Sequence, residues 1–121
     1  MRWCKATKKK YLKRPINILE KKLDTNLIWR SRVNHELQNE YAGIFNKINR
    51  LIFLRVPNFE CVYKWRLLQE KKLQLTSKGK KIMSSIQVKI FIMYYERITK
   101  QMLVDLTKKA YAVLYLDKKH R

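Results

Sequence analysis

The chain has 121 residues, with 29 Lys plus Arg against 9 Asp plus Glu and a formal net charge of +20. That much like charge on a small body repels itself and weakens the compact state unless counter-charge comes from outside, so a polyanionic partner is expected. The 46 per cent of apolar residues excludes disorder along the whole length, and two Gly with two Pro exclude a many-stranded β fold.

In chain order, residues 1–14 carry Arg2, Lys5, Lys8, Lys9, Lys10, Lys13 and Arg14 with no acid among them. This stretch reads as a flexible basic arm ending at Pro15, and the chain divides into an arm at 1–15 and a helical domain at 16–121. Pro15 suits the first position of a short helix over 16–23. Val33, Leu37, Tyr41, Ile44, Ile48 and Leu51 then recur at steps of three and four, an apolar helical stripe widened by Phe45 and Ile52. That spacing predicts one long helix over 28–54, with Asn26 as N-cap and Pro57 beyond its end. Gly43 lies inside it at a cost of about 1 kcal/mol relative to Ala.

A second helix is expected over 60–75, with Val62, Trp65, Leu68 and Leu73 turned inward. Thr76-Ser77-Lys78-Gly79 signals a turn. Residues 80–95 place Ile82, Ile86, Ile90, Met93 and Tyr94 at helical spacing, while Val88–Tyr95 is β-branched and aromatic enough for a short strand to compete. Thr99 is the expected N-cap of a last helix through 117, with a stripe of Leu103, Leu106, Ala110, Val113 and Leu114. The fold class is mainly α, a small domain of about four helices carrying the basic arm.

Catalysis finds little purchase. His35 and His120 lie in polar or terminal contexts, without the Cys or carboxylate spacing of a metal set. There is no glycine-rich phosphate loop and no nucleophile motif, so neither an enzyme nor a cofactor is expected, and no small-molecule substrate. Cys4 and Cys61 read as reduced thiols. No apolar run approaches the roughly 20 residues that span a bilayer, and the arm lacks the apolar core of a signal peptide.

The basic clusters carry the functional argument. Besides the arm there is Lys64, Arg66, Lys71, Lys72, Lys78, Lys80 and Lys81, interrupted only by Glu70. Lys and Arg on flexible stems neutralise phosphates and release counterions, and interleaved aromatics stack on unpaired bases. Trp3 and Tyr11 accompany the arm, with Trp3 the stacking candidate; Tyr63 and Trp65 accompany the second cluster, where Trp65 falls on the apolar stripe. No zinc-finger ligands, paired-aromatic strand or basic region followed by heptads is present. The expectation is therefore recognition of structured RNA through shape and backbone.

The stretch Phe91-Ile92-Met93-Tyr94-Tyr95-Glu96-Arg97-Ile98-Thr99-Lys100-Gln101-Met102-Leu103, continuing to Lys108-Lys109-Ala110, resembles part of the small-subunit ribosomal protein of the uS-four family. In that family a basic helix ends in Tyr-Gly, a short turn leads to a Ser or Thr cap, and Lys-Gln opens the next helix. Arg66-Leu67-Leu68-Gln69-Glu70-Lys71-Lys72-Leu73 is also similar to its basic helix, and the two matches together require an insertion between them. Glu96 stands where the family has Gly. The resemblance implies binding of ribosomal RNA near the five-way junction of the small subunit, with Lys71, Lys72, Lys100 and Lys108 facing the RNA.

Plentiful Lys, Ile, Asn, Leu and Tyr with scarce Ala and Gly is the usage of an AT-rich genome, as in many organelles. The combined expectation is a structural constituent of an organellar ribosome, in the mitochondrion or another organelle, with ribosomal RNA and neighbouring ribosomal proteins as partners and no membrane. The rivals are a DNA-binding or packaging protein and a helical scaffold subunit of a membrane-associated assembly.

Overall fold

A computed structural model describes residues 6–77 and 81–121. The fold is mainly helical, as expected, and adds a small two-stranded sheet that the sequence reading did not include. The elements are α1 (Lys9–Leu12), α2 (Ile18–Leu23), α3 (Ile28–Gln38), α4 (Glu40–Phe45), β1 (Ile52–Arg55), α5 (Phe59–Thr76), α6 (Ser85–Lys109) and β2 (Ala112–Tyr115).

Two helices frame the molecule. In α5 the Asn58 side chain accepts from the Cys61 amide at 3.0 Å, which satisfies one of the first-turn donors that no helical carbonyl can reach. A capping box opens α6: Ser84 Oγ accepts from Gln87 N, and Gln87 Oε1 accepts from Ser84 N. The two helices run side by side in opposite senses, because Phe59 of α5 meets Lys100 while Arg66 meets Phe91 and Glu70 meets Met83. They join β1 to β2, which pair in parallel with Ile52 opposite Ala112 and Arg55 opposite Tyr115. Parallel pairing needs a long crossover, and here a helical hairpin provides it.

This arrangement corrects three sequence expectations. The long helix over 28–54 is broken. Asn39, at φ −110° and ψ −84°, separates α3 from α4, and residues 52–55 are a strand. The run Ile52-Phe53-Leu54 fits a helical stripe and a strand equally well, and pairing with Ala112–Tyr115 decides for the strand. Tyr41 and Ile44, expected in the core, are exposed for the same reason, whereas Leu37 is buried. Thr99 caps nothing: α6 runs through it without a break, so residues 88–95 are helix, and the turn that the family resemblance implies at 96–99 is absent. The last expected helix ends at Lys109, and its Val113 and Leu114 lie in β2.

The N-terminal elements are held by buried polar contacts. Leu12, Leu19, Leu37, Val88, Ile92 and Leu106 are buried, and Glu20, Asp24, Arg30 and Asn34 are buried beside them. Arg30 donates through Nε to Asp24 Oδ2 at 2.9 Å, through Nη2 to the Asp24 carbonyl at 2.6 Å and through Nη1 to the Leu12 carbonyl at 2.9 Å. Asp24 also accepts the Trp29 and Arg30 amides, so it caps α3 in place of Asn26 and sets a negative charge at the helix start. Arg97 of α6 reaches over to Glu20 at 2.6 Å and donates to the carbonyls of Tyr11 and Arg14. Asn17, not Pro15, opens α2: its Oδ1 accepts from Glu20 N while its Nδ2 donates to Met93 O and Glu96.

These contacts also change the reading of the arm. From residue 6 onward it is docked: Thr7 exchanges two hydrogen bonds with Asn34, and Leu12 is buried. Residues 7–14 are therefore in contact with the helical body. Burial of Leu12 and capture of the arm's carbonyls by two arginines account for the difference.

Candidate nucleic-acid interface

Among the described residues, one gathering of cations lies where α5 meets the chain after β2. A groove of ≈ 630 Å³ is lined there by Lys64, Lys71 and Lys72 of α5 and by Lys118 and Lys119 of the C-terminal segment. Positions 64, 71 and 72 lie two turns apart on one helix face, a separation of about 10.5 Å along the axis. Among the described residues Glu60 is the one carboxylate in the lining, and it pairs with Lys64 at 2.9 Å. Their hydrogen bond and mutual charge hold the Glu60 carboxyl below its ordinary range and the Lys64 ammonium above it. The ammonium thus stays charged under all ordinary conditions.

The C-terminal wall is built by one acid and one tryptophan. Asp117 Oδ1 accepts the amides of Lys119 and Arg121 at 2.7 and 2.9 Å, and the Arg121 carbonyl accepts from Asp117 N. This closes a tight turn, with His120 at φ +67°. Trp65 fastens the turn to α5: its Nε1 donates to the Lys118 carbonyl at 3.3 Å, and its ring meets His120 edge-on with centroids 4.0 Å apart. Trp65 is therefore structural, half-buried and engaged on both its ring and its N–H.

The sequence-predicted residues divide as follows. Lys64, Lys71 and Lys72 come together in this groove. Arg66, expected beside them, is turned inward; it pairs with buried Glu70 at 2.7 Å and lies over the Phe91 ring at 5.4 Å, where it joins α5 to α6. The cause is position on the helix: residue 66 is on the face that packs against α6. Lys81 is exposed just before α6, and Lys108 is exposed near its end. Arg2, Trp3, Lys5, Lys78 and Lys80 lie outside the described residues.

Lys8, Lys9, Lys10, Lys13 and Arg14 are exposed on and around α1, forming a second basic surface. Lys8 lines a cleft of ≈ 450 Å³ with Tyr11 and with Lys100 of α6, and Lys100 pairs with Glu96 at 2.6 Å. Sequence reasoning missed Lys118, Lys119 and Arg121, although Lys118-Lys119-His120-Arg121 is itself a basic run that could have been added to the list.

A third depression, of ≈ 530 Å³ between α3–α4 and α6, is lined by Trp29, Tyr41, Phe45, Tyr94 and Tyr95 and carries no lysine. Among the described residues no three His, Cys, Asp or Glu side chains are grouped to hold a metal ion, and no helix is long and apolar enough to cross a membrane. No family model, curated protein or solved structure matches this chain.

Proposed function

We propose that the protein binds structured RNA as a structural constituent of a ribonucleoprotein particle, with the ribosome of an organelle as the first candidate. The groove neutralises phosphates of one RNA helix, and the body fills space among RNA and protein neighbours. The observation that carries this reading is the convergence of five lysines from two separate chain segments on one concavity, where the only carboxylate among the described residues is already paired. A merely solvated surface has no reason to concentrate one sign, and mixed charge is the usual arrangement. Rigid placement favours backbone and shape recognition, because Trp65 is committed to the turn and leaves the groove without a free stacking ring.

Binding of a structured RNA, followed by fluorescence anisotropy across a salt series, tests it. The variant K64Q/K71Q/K72Q is expected to flatten the log–log salt slope by about 2.1 to 2.7, at 0.7 to 0.9 per lost phosphate contact. An unchanged slope removes the groove from the interface. Duplex DNA competing as well as RNA would favour the packaging protein, and nuclease-resistant binding to anionic vesicles the membrane-associated scaffold. Sedimentation from the native source with a ribosomal subunit, lost on nuclease treatment, tests the ribosomal assignment.

A further inference from the structure

The cleft between α1 and α6 differs from the lysine groove in one respect: it contains an exposed aromatic ring. Tyr11 is 56% exposed, and the Lys10 ammonium lies 4.9 Å from its centroid. The ring stands on a backbone fixed from two sides. Arg97 Nη1 donates to the Tyr11 carbonyl at 3.1 Å, and Arg30 Nη1 to the next carbonyl, that of Leu12. Leu12 itself is buried. An exposed ring on so short a helix would ordinarily be poorly placed; here two arginines anchored to buried carboxylates hold it. Around the ring the cleft gathers two kinds of group. Lys8 offers an exposed positive charge, with Lys100 beside it paired to Glu96, and the Thr7 hydroxyl and Asp105 carboxylate offer hydrogen-bonding partners.

Each feature answers one part of an unpaired nucleotide. A planar base stacks on an aromatic ring, flanking phosphates meet the lysines, and a carboxylate accepts from the exocyclic amino group of a base. Asp105 makes little sense in a site for phosphate alone, since it repels the ligand, whereas a base edge gives it a donor. We propose that this cleft binds a single unpaired nucleobase of the same RNA, stacked on Tyr11, while the lysine groove holds the adjoining duplex. The proposal rests on the RNA-binding reading and adds a preference for RNA with a bulge or loop over a featureless duplex.

The test compares a blunt RNA duplex with the same duplex carrying one bulged adenosine, titrated against the full chain and the variants Y11A and Y11F. The bulged RNA is expected to bind tighter than the blunt one by about 5- to 150-fold, the range that stacking one base on an aromatic ring supplies. Y11A is expected to remove that advantage and Y11F, which keeps the ring, to retain it. Because Tyr11 is exposed, neither change empties the core. Equal binding of the two RNAs by the unaltered chain overturns the proposal and leaves the groove standing, as does an equal loss on both with Y11A. Binding of neither RNA by the unaltered chain overturns the RNA reading itself.

Discussion

Replacing Arg30 by Ala removes the cation on which the N-terminal half closes. Its side chain is 3% exposed; it pairs with Asp24 at 2.9 Å and lies 3.6 Å from Glu20, both carboxylates 5% exposed. Truncation leaves Asp24 without its counter-charge, takes one of Glu20's two, and strips the Leu12 and Asp24 carbonyls of a donor. Breaking a buried pair from one side costs about 3–5 kcal/mol. Small domains hold about 5–15 kcal/mol in all, so R30A falls close to the folding limit. Urea unfolding followed by far-ultraviolet circular dichroism reads the loss as a lowered midpoint with an unchanged slope. R30M is the companion variant. It keeps much of the packing volume while removing the charge, and it is expected to remain destabilised, which separates charge from cavity. A loss below about 1 kcal/mol in both variants, the range of an exposed surface pair, would refute the claim that this network organises the N-terminal half.

The same network sets an acid limit. Burial raises the Glu20 carboxyl, but the Arg97 hydrogen bond, the Ile16 amide and the charges of Arg97 and Arg30 outweigh it, so the net displacement is below 4.5. Burial likewise raises Asp24, and the amides of Trp29 and Arg30 with the Arg30 side chain bring it below 3.8. Where the folded value is depressed, the unfolded chain binds more protons. The stabilisation is complete above those unfolded values and is lost as the pH falls through the folded ones. Unfolding free energy measured from pH 6 downward should therefore stay level and then drop in the acid range, with a shallower drop in R30A.

Other perturbations have expected outcomes of their own. Gly43 lies within α4 with nothing inside 4 Å of an added Cβ, so G43A should raise stability by about 0.5–1 kcal/mol, read as an increased thermal midpoint. Asn58→Ala removes the α5 cap and should cost about 1 kcal/mol, with hydrogen exchange accelerated in the first turn of α5. Leu106, buried on α6, should cost about 2–5 kcal/mol on truncation to Ala, which urea unfolding would report; a smaller loss would mean that this part of α6 is not core.

What the sequence disclosed depends on how local each determinant is. The helix α5 was legible almost to its ends, 60–75 expected against Phe59–Thr76 observed, because its apolar spacing is a local signal; the turn expected over Thr76–Gly79 lies partly outside the described residues. Half of the groove was legible for the same reason, because Lys64, Lys71 and Lys72 share one helix face by spacing alone. Lys118 and Lys119 join them only through Trp65 and Asp117, contacts between residues far apart in the chain. The 28–54 segment misled because its stripe satisfies two periodicities at Ile52–Leu54, and a partner strand some sixty residues away decides between them. Arg30 looked like any other of the 29 basic residues. Nothing local marks it as buried, as its partners come from α1, α2 and the turn before α3.

The central claim is that the α5–C-terminal groove is the surface RNA covers, and lysine protection tests it most directly. The chain is acetylated briefly with and without bound structured RNA, and each lysine is quantified by peptide mass spectrometry. The account predicts that Lys64, Lys71, Lys72, Lys118 and Lys119 become protected while exposed lysines elsewhere, Lys21, Lys22 and Lys47, react as before. Protection that spares these five, or that spreads evenly over all lysines, would contradict it.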